Sequence, residues 1–303
     1  MRISTGNFNR VMLQVMQQTM TDLAKTSDQL STGKRILQPS DDAIDTVKIL
    51  HLNNELTAIG QFENNISSVT GWLQQQDALY SGMNDLLLRA RDLLLQASNG
   101  TQSNADLKSF ATELGSLNES LLSLANYQTA DGQYLFSGTT TNQQPVVQSV
   151  GDYAYNGNNQ YRQVAISGSA QVQITQPGNE LFFDNSATPP LDSIFDALTT
   201  AVSELNNPVN LPTVLADTIV WVDATMERIG SAQTRSGSDL NLVDRVSESH
   251  ADIRLFAEQL KSGIENIDMV EATTRLNQQQ LILSASQQVY ASIKRLSLFN
   301  YFA

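Results

Sequence analysis

The chain has 303 residues, with 18 Lys and Arg against 31 Asp and Glu, a net charge of −13, 41% apolar residues and no cysteine. That length allows two or three domains; the missing cysteine excludes disulfides and thiolate metal sites, and the acidic balance argues against nucleic-acid binding, which needs a basic stripe. The first residues hold no continuous apolar run of the kind a cleaved signal peptide needs, and no run of about eighteen apolar residues offers a membrane span.

The charge is unevenly placed. Residues 1–50 carry six basic and five acidic side chains, and residues 265–303 carry three of each, so the acidic excess lies between them. No acid occurs before Thr21 or after Ala272. Near-neutral ends suit segments that pack densely against copies of themselves, where like charges would oppose contact.

In chain order, Leu13, Met16, Met20, Leu23, Ser27 and Leu30 fall three and four apart and predict a helix over about Asn7–Ser31, with Val11 and Val15 widening the apolar face. A break follows. Gly33 suits the helix C-cap and Lys34 and Arg35 its negative end. Ser40 suits the next N-cap, with Asp41 and Asp42 at the positive end. A second helix is expected from Asp41 to about Ser98, its seam running from Leu52, Leu56 and Ile59 through Leu73 and Leu87 to Leu94 and Ala97. Gly60, Gly71 and Gly82 interrupt it and suggest close helix approach or kinks. After Asn99-Gly100 a third helix, about Ala105–Tyr127, is expected to return antiparallel, because the connection is short.

The period changes near Asp131. From Tyr134 to Pro190 short alternating runs meet turn signals at Asn156-Gly157-Asn158-Asn159 and Pro177-Gly178. This predicts a small antiparallel sheet with hairpins, in a solvent-facing insert. A short helix follows Pro189-Pro190, carrying Leu191, Ile194, Leu198 and Leu205. From Thr213 to Ala303 there is no proline and three glycines, and apolar residues recur from Leu215 to Leu296, so helix is expected over nearly the whole span. A sixty-residue helix would be about 90 Å long, roughly twice the width of a compact globule of this chain length. It therefore needs partner helices, and the N-terminal third supplies them. The expected fold is mainly α: a long antiparallel helical bundle or coiled coil formed by the N- and C-terminal regions, with a small antiparallel β-rich insert in the middle. Residues 1–40 with 265–303 are expected as a terminal coiled coil, 41–132 with 191–264 as a helical bundle, and 133–190 as an outer domain.

Nothing in the chain marks an enzyme. His51 and His250 are the only histidines, with no His-Glu-x-x-His run, nucleophile motif or dinucleotide loop. No cofactor or metal is expected.

Two stretches carry a resemblance. Leu30-Ser31-Thr32-Gly33-Lys34-Arg35-Ile36 followed by Ser40-Asp41-Asp42-Ala43 resembles the N-terminal signature of the bacterial flagellin family. Ile264-Glu265-Asn266-Ile267-Asp268-Met269-Val270-Glu271-Ala272 resembles its C-terminal signature. The ending Leu296-Ser297-Leu298-Phe299-Asn300-Tyr301-Phe302 and the start Met1-Arg2-Ile3-Ser4-Thr5 are similar to those of the hook–filament junction members. The resemblance covers about 1–130 and 215–303. It implies a secreted structural subunit of the flagellum that leaves the cell unfolded through the flagellar export apparatus, with an export chaperone. Its terminal helices would polymerise with copies of itself around a channel, joining hook-associated protein 1 to flagellin. The interface residues implied are Leu13, Met16, Met20, Leu23 and Leu30 with Ile267, Leu281, Val289, Ile293, Leu296, Leu298 and Phe299. A filament flagellin, or a type III secreted coiled-coil tip or adhesin protein, is the alternative.

Overall fold

The structure is a computed structural model describing residues 2–100, 102–149, 151–184 and 193–302; side chains are described from residue 6 to 294 within those limits, save that of 149. Seven helices and four strands are found among them: α1 (Arg2–Thr32), α2 (Ala43–Ala97), α3 (Asn104–Ala125), β1 (Val146–Ser149), β2 (Asp152–Tyr155), β3 (Gln163–Ala165), β4 (Gln171–Gln173), α4 (Gly178–Phe182), α5 (Ile194–Asn206), α6 (Leu211–Glu265) and α7 (Met269–Phe302). The chain divides into two compact units, Met1–Ala58 with Asp252–Ala303, and Ile59–Ala251.

The Ile59–Ala251 unit holds the apolar core. Along α2 the buried residues Ile66, Val69, Leu73, Tyr80, Met83, Leu87, Ala90, Leu94 and Ala97 keep the heptad spacing seen in the sequence. Side-chain pairs fix the directions of its neighbours. Gln75 meets Tyr127 at 2.8 Å and Arg89 meets Glu113 at 2.6 Å, so α3 runs antiparallel to α2. Arg91 pairs with Asp223 at 2.6 Å and Gln233 donates to Asp77 at 3.0 Å, so α6 is antiparallel too. Ser103 caps α3 in a reciprocal capping box with Asp106. The glycines of α2 do not break it. A Cβ at Gly82 would meet Leu124 at 3.5 Å, an ordinary contact, and at Gly71 it would meet nothing. Close approach is therefore not what these two glycines provide.

The β region differs from the expected single sheet. It is two separate two-stranded hairpins, β1–β2 and β3–β4. Asn156-Gly157 is not a hairpin turn. A Cβ on Gly157 would run into the Tyr155 ring and come within 2.8 Å of the Ser137 carbonyl, so glycine there serves packing. The Tyr155 hydroxyl lies 3.0 Å from Phe136 O and 2.9 Å from Asn158 O, and burial pushes its pKa up to about 12.

One face of each hairpin is buried against helices rather than facing solvent. Ile166, Val172 and Ile174 join Ile66, Val69, Leu73 and Val243 in one apolar cluster. Three side chains grip the backbone there: Asn65 donates to Ala165 O at 2.9 Å, Gln76 to Ile174 O at 2.7 Å, and His250 Nε2 lies 2.8 Å from Ile166 O. His250 also stacks on Phe62, so it is a packing residue, whereas His51 is exposed. On β1 the Asn126 side-chain amide pairs with both backbone groups of Val146, at 2.9 Å each. Residues 185–192, including Pro189, Pro190 and Leu191, lie outside the described ones.

In the other unit, α1 packs along α7. The end of α1 lies beside the start of α7: Ile267 N–H donates to Gly33 O at 3.0 Å. The two helices are therefore antiparallel. The C-terminal span is not one helix. It breaks at Asn266–Asp268, where Asp268 Oδ1 accepts from Val270 N at 2.8 Å and Glu271 N at 3.1 Å and so caps α7.

Candidate functional site

Apolar side chains are distributed oppositely in the two units. Among the described residues forty apolar ones are buried, and only Ile36, Ala257 and Ala272 belong to the terminal unit. Of 21 large apolar side chains left exposed, 17 belong to it. A surface this apolar marks an interaction site rather than a finished exterior. Fully burying one such side chain is worth about 1.5–3 kcal/mol, so covering half a dozen outweighs much of a typical domain's stability of about 5–15 kcal/mol.

On α1 the covered stripe is Asn9, Met12, Met16, Thr19, Leu23, Thr26 and Leu30, three and four apart. Its counterpart on α7 is Ala272, Leu276, Gln279, Leu283, Ser286, Tyr290 and Ile293. Of the residues picked out from the sequence, Met16, Leu23, Leu30 and Ile293 lie on these stripes, and Ile267 is half-buried beside Gly33. Leu13 and Met20 lie on an exposed flank of α1, 45% and 56% accessible. Phe8, Val11 and Val15 are exposed on the other flank. Leu281 is 70% accessible and Val289 46%. The side chains of Leu296, Leu298 and Phe299 lie outside the described ones, although α7 runs through them. Two further stripes are exposed: Ile44, Val47 and Leu50 on α2, not singled out in the sequence, and Ile253, Phe256 and Leu260 on α6, where Ile253 and Leu260 belong to the expected apolar repeat of the C-terminal span. Their three- and four-residue spacing was visible, but spacing does not say which face a tertiary contact covers.

An elbow joins these helices, and its chemistry departs from simple capping. Gly33 takes φ +72°, the left-handed turn that ends α1. Lys34 and Arg35 do not complement the end of α1. Lys34 pairs with Glu265 at 2.6 Å, and residues 34 and 266 form an antiparallel bridge. Arg35 N–H donates to Glu265 O at 2.7 Å. Its guanidinium reaches Asp45 at 2.5 Å, Asp42 at 3.4 Å and the Ile264 carbonyl at 3.2 Å. The charge thus sits at the negative end of α6. Gln29 completes the joint by donating to Arg35 O at 2.5 Å. The expected cap Ser40 is replaced by Asp42, whose Oδ1 accepts from Asp45 N at 3.0 Å.

Asp41 turns back instead. Its carboxylate pairs with Lys25 at 2.7 Å and accepts from Leu37 N and Gln38 N at 3.0 Å each. Lys25, then the Gln38 and Leu37 N–H groups, hold its pKa at about 2, below the ordinary 3.8. A depressed carboxylate stabilises the folded elbow above pH 3.8 and loses that contribution as pH falls through about 2. Asp41 is therefore expected to stay ionised at pH 3.5 in the full chain. A carboxyl-carbon NMR titration checks this; a midpoint at the ordinary 3.8 would mean the Lys25 contact is not made.

Ser67, Ser68, Trp72, Gln75 and Asp131 line an open groove of about 380 Å³. Among the described residues no group of three His, Cys, Asp or Glu could hold a metal ion, and no helix is long and apolar enough to cross a membrane.

Residues 3–141 match the family described as the bacterial flagellin N-terminal helical region. Flagellar hook-associated protein 3 of Escherichia coli is 25% identical across 99% of both chains. The flagellin of Listeria innocua is 28% identical, but over only 47% of this chain and 50% of its own. A solved structure from Vibrio parahaemolyticus, described as a flagellar hook-associated protein, covers 75% of this chain and 100% of its own, with TM-score 0.70 and 26% identity. Over its full length the chain is thus similar to hook-associated protein 3, and over its first 141 residues to the flagellin superfamily. Its role is structural, that of a hook–filament junction protein of this type, within the flagellum.

Proposed function

We propose that this chain joins hook-associated protein 1 to the first flagellin subunits, and that its terminal helices make the joint. Residues 1–40 with 265–303 form the inner, channel-proximal layer, 41–132 with 191–264 the helical bundle outside it, and 133–190 the outermost part. Copies stack side by side, and the exposed flanks of α1, α2, α6 and α7 face neighbouring subunits. The protein reaches this place by export through the flagellar apparatus, unfolded and accompanied by a chaperone. The observation that carries this is the inverted distribution of apolar surface. A terminal unit with 17 exposed large apolar side chains and three buried apolar residues lacks the burial to offset its own ordering entropy. Neighbours that cover those flanks supply it.

The full-chain similarity to the Escherichia coli hook-associated protein favours a junction over a filament subunit, since the flagellin similarity spans less than half the chain. Cells lacking the protein are expected to carry bare hooks and to release unattached flagellin into the medium, seen by electron microscopy and by blotting the supernatant. Full-length filaments on such cells would overturn the assignment.

A further inference from the structure

We propose that Met12, Met16 and Met20 of α1 form an oxidation-sensitive ladder, and that peroxide reaching them before assembly converts the chain into a form that no longer joins. This rests on neighbouring copies being what orders the terminal unit, and it adds a modification site to that reading.

The three methionines stand four residues apart. At 3.6 residues per turn each step advances about 40° around the helix, so the ladder climbs from the covered stripe to the exposed flank. Met12 and Met16 lie half-covered on the stripe of α1 that faces α7, and Met20 is 56% accessible on the flank. The Ile59–Ala251 unit holds Met83, which is fully buried, and Met226, half-covered against the apolar core.

Oxidation of a thioether follows its exposure. A terminal unit that lacks the burial to order itself leaves the ladder sulfurs open to solvent in the lone chain. Neighbours that cover the flanks close them off, so the reactive window ends at assembly. The step transfers one oxygen atom, with hydrogen peroxide as the oxidant. The sulfur lone pair attacks one peroxide oxygen, the O–O bond breaks, an S–O bond forms, and the other oxygen leaves as water. The thioether is oxidised to the sulfoxide and the peroxide is reduced.

A sulfoxide is polar where the thioether was apolar and pliable. Once covered, its oxygen needs a hydrogen-bond donor. The seam hydroxyls of α1 are already spent: Thr19 donates to Val15 O at 2.9 Å and Thr26 to Asp22 O at 2.9 Å. Leu23 and Leu30 continue the stripe and offer no donor. Oxidised chains therefore bring an unmet polar group to the surface that has to be buried.

The chain contains no cysteine, so peroxide has no thiol to modify. Purified full-length chain is treated with hydrogen peroxide and the sulfoxide at each methionine is followed by peptide mass spectrometry. Met12, Met16 and Met20 are expected to oxidise at least about tenfold faster than Met83, and to lose that lead in isolated flagella. Oxidised and untreated chains are then added to cells lacking the protein. Oxidation is expected to lower the number of filament-bearing cells about tenfold, the scale on which an unmet buried polar group shifts an equilibrium. Reduction of the oxidised chain with methionine sulfoxide reductases A and B and dithiothreitol is expected to restore it. Met269→Leu removes the other described methionine of the terminal unit, 52% accessible at the start of α7, and is expected to leave the peroxide effect in place. Equal oxidation rates for the ladder and Met83 overturn the proposal, as does a loss that Met269→Leu abolishes. Normal filaments from untreated and oxidised chain alike overturn this inference alone. Failure of the untreated chain to restore filaments overturns the joining role, and this inference with it.

Discussion

Removal of residues 290–303 is expected to abolish incorporation at the junction while leaving the Ile59–Ala251 unit folded. The cut takes Tyr290 and Ile293 from the seam and with them the last turns of α7. The facing part of α1, around Asn9 and Met12, then loses its partner. It already carries exposed Phe8, Val11, Leu13 and Val15. A lone helix of that length is marginal in water, so this end of the pair has no reason to stay ordered. The other unit loses nothing, because its buried apolar residues run from Ile59 to Val243. Truncated protein should therefore be recovered soluble, with an unchanged tryptophan-fluorescence melt, and cells making only that form should release flagellin without building filaments. Normal filaments with the truncated form would show that the end of α7 is dispensable for joining.

Phe195→Ala is expected to destabilise the Ile59–Ala251 unit by about 3–5 kcal/mol, the range for deleting a fully buried phenylalanine side chain. Phe195 is fully buried at the start of α5. Its ring lies 5.5 Å from both Phe182 and Tyr153; Phe182 lies 6.0 Å from Phe136, which in turn lies 6.0 Å from Tyr80. These rings come from α5, α4, β2, the segment before β1, and α2, so one cavity loosens several elements together. Such a loss is a large part of a domain stability of about 5–15 kcal/mol. Urea unfolding measures it. A change below about 1 kcal/mol would mean that the aromatic cluster collapses to fill the gap. The contrast with the truncation is informative: one change removes stability and spares the joining surface, the other does the reverse.

Much of this architecture was readable from residue spacing, and the places where it was not have definite causes. The α2 seam was legible because Ile66 to Ala97 repeats strictly and its neighbours cover that one face. The α1 seam was half legible. A heptad through Leu13, Met16, Met20 and Leu23 and another through Met12, Met16, Thr19 and Leu23 share members, and apolar counting favours the first. The covered stripe is the second, because threonine, glutamine and serine count as neutral in such a pattern yet pack well between helices. The break between α6 and α7 was missed although Asp268 with Glu271 three residues later is a helix-start signal; the absence of proline and glycine outweighed it. Asn156-Gly157 misled because glycine can answer to crowding as well as to a turn. The elbow's long-range pairs have no local signature at all, since each partner reads as an ordinary cap or exposed charge.

The antiparallel course of α1 and α7 has a practical corollary. Helices of 31 and 34 residues that part from a shared elbow finish together, about 45–50 Å away at 1.5 Å per residue. Reporter peptides attached at the front or the back of the polypeptide would therefore occupy one neighbourhood. Tethering front to back with a few flexible residues should be possible without disturbing the hairpins or the aromatic cluster, yielding a chain with new ends wherever a loop is opened.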